Sequence, residues 1–322
     1  MARRVTISLI CARDNQGDYG AGFDKLTANA CRRLDDLIGQ VLPSRPDLIV
    51  LPEACDRFAN FTEHQQTEYL RAADGAVRDH LRETARSANC LIAYSAHRYT
   101  PEDRLFYKRN STQIIARDGT IAGVYDKNHV TMDENDTGRV GYGEKAEVIK
   151  TDIGRIACAI CFDLNFNELL ERYIPQKPDL IVFCSQYHGG LRQQQWAYDC
   201  RAHFAGAIAG DEGTILNPFG EKLARTTNYY NHVTCTVNLD CALAHIDYNA
   251  GRFIEAKRKY GRALTVYDPG HVGSVLLTCE EDGLSVHDIM DEFGIEPLAD
   301  YFARARAHRR NYFNAEKPDR NP

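Results

Sequence analysis

Pro46-Asp47-Leu48-Ile49-Val50 and Pro178-Asp179-Leu180-Ile181-Val182 are two copies of one phrase in this chain. In each copy a proline and an acid introduce an unbroken apolar run of strand length, the pattern of a strand covered on both faces. Each copy also follows a strand and a helix. Ile10-Cys11-Ala12-Arg13-Asp14 precedes the first helix, and Ile160-Cys161-Phe162-Asp163 precedes the second. Outward from the first copy, residues 5–11 read as a strand. Residues 23–42 read as an amphipathic helix with Leu26, Ala30, Leu34, Leu37, Ile38 and Val41 on one face. Residues 62–87 have a helical pattern weakened at Gly75, and 91–95 form a strand. Residues 113–116 and 121–125 make a hairpin through Arg117-Asp118-Gly119, where glycine accepts positive φ. The second half repeats the cycle: strand 155–161, helix 168–173, strand 179–183, helix 191–207. A hairpin around Asn217-Pro218-Phe219-Gly220 then leads to strand 233–237. Two related half-sheets, each with helices on one face, bury their bare faces by stacking. The expected fold is α/β, a four-layer αββα sandwich of two mostly mixed sheets with a C-terminal helical tail.

Composition agrees with such a fold and excludes several function classes. The 322 residues are 43% apolar and 26% charged, with 13 Phe and 17 Tyr, which rules out a disordered chain. No run approaches the roughly 18–20 apolar residues of a membrane span. A formal net charge of −6 speaks against a general nucleic-acid binder, which needs a basic surface. The start Met1-Ala2-Arg3-Arg4 resembles a secretion signal. Its apolar run is short, contains Thr6 and Ser8, and meets Arg13-Asp14 without a small-residue cleavage site, so it is read as the first strand. The odd count of 11 cysteines does not suit a disulfide scaffold. A cytoplasmic protein with mostly buried thiols is expected.

Beyond Asp268 the alternation weakens. Residues 289–293 and 298–308 look helical, and Arg304, Arg306, Arg309 and Arg310 form a basic cluster near the end. The expected organisation is a main domain over 1–268 and an extension over 269–322 that either presents a solvated charged face or packs on a second subunit.

No phosphate loop, H-E-x-x-H or G-x-S-x-G is present. Cys158 and Cys161 form a C-x-x-C, but residues three apart on a strand point to opposite faces, and no further pair completes a zinc set. No metal or cofactor is expected. Cys161 has a different merit. It ends a strand just before a helix, where a nucleophile is exposed and backbone N–H groups can lower a thiol pKa and receive an oxyanion. A buried structural cysteine is the alternative. Glu53 follows the strand 47–51, and Pro52 stops that strand. Among Val50, Leu51 and Ala54, desolvation would raise the carboxylate's basicity, as suits a general base. Capping a loop is the competing role. Lys127 closes the strand 121–125 and can polarise a carbonyl.

Leu51-Pro52-Glu53, Tyr125-Asp126-Lys127-Asn128-His129 and Ile160-Cys161-Phe162-Asp163 stand in that order, each at a strand end, and Gly154-Arg155-Ile156 leads into the cysteine strand. This arrangement resembles the nitrilase superfamily of carbon–nitrogen hydrolases over about residues 5–240. The resemblance implies an αββα sandwich and a Glu53-Lys127-Cys161 triad. Cys161 would attack an amide-type carbon, Glu53 would shuttle protons and activate water, and Lys127 with the Phe162 N–H would hold the oxyanion. It also implies a second glutamate that orients the lysine: Glu134 is chosen, with Glu144 and a plain acidic loop at Asp133-Glu134-Asn135-Asp136 as alternatives. Homo-oligomers are usual in the superfamily.

The residues after Cys161 bear on substrate. Members that cleave N-carbamoyl amino acids place arginine there, and nitrilases place Trp-Glu. Phe162-Asp163-Leu164-Asn165 is more similar to the aliphatic amidase and carbamoyl-amine branches. Asp163 either pairs with a substrate amine or hydrogen-bonds its own loop. Tyr187, His188 and His129 are expected along the pocket, with Gly189-Gly190 making a tight loop. The expectation is a cofactor-free hydrolase of a small linear amide or N-carbamoyl amine, with water as co-reactant and neither nucleic acid nor membrane as partner. Nitrile hydrolysis and an inactive interaction module of the same fold are the alternatives.

Overall fold

The computed structural model describes residues 2–103 and 105–315, so Met1 and the end of the extension, 316–322, lie outside the described residues. The chain divides into two compact units, Val5–Val237 and Met1–Arg4 with Asn238–Pro322. In the larger unit the elements in order are β1 (Arg4–Ile10), α1 (Phe23–Gly39), β2 (Leu48–Val50), α2 (Glu63–Ala73), α3 (Ala76–Ala88), β3 (Leu91–Tyr99), β4 (Lys108–Ile115), β5 (Ile121–Asp126) and α4 (Met132–Asp136). They continue with β6 (Ile149–Lys150), β7 (Arg155–Ile160), α5 (Asn167–Tyr173), β8 (Leu180–Ser185), α6 (Leu191–Cys200), β9 (His203–Ile208), β10 (Thr214–Leu216), β11 (Lys222–Arg225) and β12 (His232–Asn238).

These strands form two six-stranded sheets, β12-β1-β2-β3-β4-β5 and β11-β10-β9-β8-β7-β6. In the first, β1, β2 and β3 are parallel while β4 and β5 return antiparallel. The second repeats this with β7, β8 and β9 parallel and β10 and β11 antiparallel. The twin phrases are structurally equivalent to the level of single hydrogen bonds. Asp47 N–H donates to Thr6 O and its carboxylate accepts from Thr6 N–H, and Asp179 makes the same pair with Arg155. Arg45 and Lys177, just before each copy, are both left-handed at φ 48° and 50°. The expected αββα sandwich is therefore the fold of this unit.

Both faces of the central strands are buried. Ile10, Ile49, Leu51, Ile92 and Tyr94 meet Leu26, Leu34 and Ile38 of α1 and Val77 and Leu81 of α3. The alternate residues Leu9, Leu48, Val50 and Ala93 are also fully buried, in the space where β2 lies against β9 and β4 against β7. Each such leucine stabilises the fold by roughly 1.5–3 kcal/mol relative to exposure. On the second sheet Trp196 and Tyr173 anchor α6 and α5, with Trp196 Nε1–H donating to Leu164 O and Tyr173 O–H to Cys158 O.

Several elements differ from expectation. The helix over 62–87 is two helices, because Asp74 and Gly75 are both left-handed (φ 40° and 78°) and break the ladder. The helix over 191–207 stops at Cys200. Arg201 takes φ 57°, and the alanine-rich 203–208 becomes strand β9, buried throughout between β8 and β10.

The second unit holds β13 (Cys241–His245), α7 (Ala250–Tyr260), β14 (Leu264–Tyr267), β15 (Ser274–Cys279), α8 (Val286–Phe293) and α9 (Leu298–Ala315). A boundary near Asp268 would cut this unit, because β13 pairs along its length with β15 in the sheet β13-β15-β14. Its core comprises Phe253, Leu264, Leu277, Ile289 and Met290. Arg304 of the basic cluster is paired with Glu296. Among the described residues no helix is long and apolar enough to cross a membrane.

Candidate active site

Three strand ends of the larger unit bring Glu53, Lys127 and Cys161 together. Pro52 ends β2, and Ala54 at φ 51° turns the chain away, leaving Glu53 only 3% exposed. Lys127 follows β5, pinned by its backbone N–H to Asn110 O on β4 at 2.8 Å, and is 1% exposed. Cys161 follows β7 at φ 49°, a left-handed conformation that a β-carbon disfavours and that the surroundings must hold. This elbow leaves the thiol half-buried beyond the strand's end, whereas Cys158 is sealed within β7.

Lys127 Nζ donates to Glu53 Oε1 at 3.0 Å and to both oxygens of Glu134, at 3.0 and 2.9 Å. Glu134 is the second glutamate on the lysine. It sits at the third position of α4, where a capping box fixes it: Thr131 N–H donates to Glu134 Oε2, and Glu134 N–H to Thr131 Oγ1. Glu144 is exposed, and it is its backbone carbonyl that is engaged, by Arg172.

Electrostatics follow from burial and this cation between two carboxylates. Burial works against the Lys127 ammonium, but Glu53, Glu134 and Cys161 outweigh it and raise its pKa, so it stays charged. Burial likewise opposes the Glu134 carboxylate, and Lys127 more than compensates, holding its pKa below the usual range. The Cys161 thiol behaves opposite to expectation. Burial and the Glu53 charge push it up to about 12, although Lys127, the Gln186 N–H and the Ser185 hydroxyl pull the other way. A resting thiolate is thus disfavoured, and the thiol needs a base at the moment of attack.

The remaining expected residues divide by environment. Asp163 is fully buried. It accepts from Ile160 N–H at 3.0 Å, His129 N–H at 2.7 Å and Tyr125 O–H at 2.8 Å, so its carboxylate holds the elbow in shape instead of facing a substrate. His129 is tied to that carboxylate and stacks on Phe166 with centroids 3.9 Å apart. Phe162, 37% exposed, packs edge-on against the same Phe166. Tyr187 lies close enough to Cys161 for its pKa to rise, first from burial and then from that sulfur. Its buried hydroxyl makes no hydrogen bond at normal distance among the described residues, although the Asn165 side chain is near enough to act on it. His188 is turned into its own loop, accepting from Gly190 N–H and standing 3.9 Å from Glu212. The loop is tight because Gly189, at φ 77°, leaves no room for a β-carbon against Leu164.

Three neighbours were not foreseen. Ser185 ends β8 and Gln186 follows it. The Gln186 N–H donates to Glu53 Oε2 at 3.0 Å, and its side chain donates to Glu53 O and to Asp14. Asn110, on β4, donates from Nδ2 to Glu53 Oε1 at 2.8 Å and to Glu134 Oε1 at 3.2 Å. The signal in β4 is composition: Lys108, Asn110, Ser111, Thr112 and Gln113 are polar residues of one strand and all are buried, and buried polar groups are the informative exception in a core.

Comparison with known proteins shows the family. Residues 28–207 match the carbon-nitrogen hydrolase family. The chain belongs to that family and is a member of the nitrilase superfamily. It is 23% identical over 284 residues to the nitrilase and fragile histidine triad fusion protein NitFhit of Drosophila melanogaster, covering 80% of this chain and 60% of that protein. It is 24% identical over 184 residues to the omega-amidase NIT2 of Homo sapiens, covering 49% of this chain and 65% of the relative. The chain thus spans a little under two thirds of the length of these relatives. The crystal structure of the C. elegans NitFhit protein superposes with a TM-score of 0.62 at 16% identity, covering 91% of this chain and 98% of that one.

Proposed function

We propose that this carbon–nitrogen hydrolase is a thiol amidohydrolase that cleaves a small linear amide or N-carbamoyl amine through a Cys161 thioester. The observation that carries this reading is the Glu53–Lys127–Glu134 ion cluster, its Glu53–Lys127 pair buried and Glu134 half-buried, within electrostatic reach of a cysteine held on a left-handed elbow. A buried charge cluster is a poor stabiliser compared with apolar packing, so its presence argues for chemistry.

The steps follow from the geometry. Glu53 takes the Cys161 proton as sulfur attacks the carbonyl carbon, because the thiol is too basic to ionise unaided near neutral pH. The tetrahedral oxyanion is held by Lys127 and by the backbone N–H of Phe162, at the start of the 3-10 turn Cys161–Asn165. Glu53 returns the proton to the leaving ammonia or amine, then activates water to hydrolyse the thioester. Glu134 keeps the ammonium in place and charged. Similarity to an omega-amidase supports an amide over a nitrile. An ammonia-release screen over amides, carbamoyl amines and nitriles tests the proposal. Release from amides or carbamoyl amines that vanishes in Cys161→Ala is expected, and equal release by that variant refutes it.

A further inference from the structure

Glu53 has two oxygens, and the structure treats them differently. Oε1 accepts twice, from Lys127 Nζ at 3.0 Å and Asn110 Nδ2 at 2.8 Å. Oε2 accepts once among the described residues, from Gln186 N–H at 3.0 Å. A carboxylate oxygen offers about two lone-pair directions, so Oε1 is saturated and Oε2 keeps one open. The Gln186 N–H that Oε2 accepts also acts on Cys161, so the same donor serves the open oxygen and the sulfur.

We infer that Asn110 is a positioning residue that saturates Oε1 and thereby makes Oε2 of Glu53 the oxygen that receives the Cys161 proton. This rests on the proposed catalytic pairing of Glu53 with Cys161. Both of the atoms facing the Asn110 amide are carboxylate oxygens, which only accept, so Nδ2 must face them and Oδ1 must turn away. Oδ1 is left buried with no hydrogen-bond partner among the described residues. An asparagine present only to fill space would not carry that unmet acceptor. The amide also spans Glu53 and Glu134, so it fixes the separation of two carboxylates that share one cation. In the step itself the S–H bond breaks, an O–H bond forms at Oε2, and the sulfur pair attacks carbon. Lys127 and Asn110 hold the carboxylate still meanwhile.

Alkylation of Cys161 by iodoacetamide requires the same proton transfer, with iodide as leaving group, and needs no knowledge of the substrate. Its rate, followed by mass spectrometry of the Cys161 peptide from pH 4 to 9, should rise along an acid limb and then level. In Asn110→Ala the carboxylate loses a donor. The limb should move up by about one pH unit and the plateau fall about tenfold. Asn110→Ser, whose hydroxyl is too short to span both glutamates, should shift in the same direction and serves if the alanine variant does not fold. A parent limb that stays in place in both variants overturns this inference alone. A profile that Glu53→Gln leaves unchanged overturns the catalytic pairing and this inference with it.

Discussion

Glu53→Gln probes the site where its electrostatics are most specific. With the Cys161 thiol at about 12, the thiolate fraction at pH 7 is roughly 10⁻⁵. In the proposed mechanism the parent protein escapes that penalty by giving the proton to Glu53 during attack. The amide variant cannot accept it, although losing the Glu53 charge lowers the thiol's pKa somewhat. Burial, the larger cause of the shift, remains. General-base assistance is worth about 10²–10⁴-fold, or roughly 3–5.5 kcal/mol of barrier. The variant's kcat/KM should fall by that factor at pH 7. Its residual rate should then climb about tenfold per pH unit up to pH 9, as the thiolate accumulates, where the parent is flat. The assay is ammonia release from the best amide of the substrate screen, with Cys161→Ala as background. A loss of less than tenfold with the flat neutral plateau retained would refute the assignment of Glu53 as base.

Other perturbations follow from the same geometry. Lys127→Met leaves Glu53 and Glu134 facing each other without their cation. It should destabilise the fold by about 3–5 kcal/mol in urea unfolding, and adding Glu134→Gln should recover part of that loss. Asp163→Ala strips the acceptor from the Ile160 and His129 N–H groups, at roughly 1–3 kcal/mol each. Denaturation should show that loss, and activity should drop more than tenfold as the Cys161 elbow relaxes. His203, 4% exposed, is held neutral by burial with its pKa lowered to about 4. Below pH 6.5 the unfolded chain takes up a proton that the native state refuses, so its contribution is intact above pH 6.5 and lost on acidification. Stability should fall by about 2–3 kcal/mol between pH 7 and pH 4.5, and His203→Gln should flatten that slope in urea titrations at the two pH values.

Much of the larger unit is written locally. The repeated Pro-Asp-Leu-Ile-Val phrase carries its own hydrogen-bond pattern, so the matched half-sheets were legible before any coordinates. The positions of Glu53, Lys127 and Cys161 just past three strands were legible because each sits where an apolar run ends. What escaped depends on distant partners. Strand β9 is alanine-rich and continues a helical pattern; only its place between β8 and β10 and the left-handed Arg201 make it a strand. The sheet of β13, β14 and β15 pairs β13 with the more distant β15 across an intervening helix and strand, and it carries no repeated phrase. Asn110 and Gln186 act through hydrogen bonds to Glu53 from across the fold, which no spacing rule encodes. The cysteine's basicity was misjudged because nearby N–H groups are visible in sequence, whereas burial and the opposing Glu53 charge are properties of the assembled site.

The most direct measurement is peptide mass spectrometry of the protein quenched during turnover of a slow amide. The mass of the acyl group should appear on the peptide carrying Cys161, be removed by hydroxylamine, and be absent from Cys161→Ala. Turnover with that peptide unmodified, or an acyl group on any other of the 11 cysteines, would contradict a Cys161 thioester.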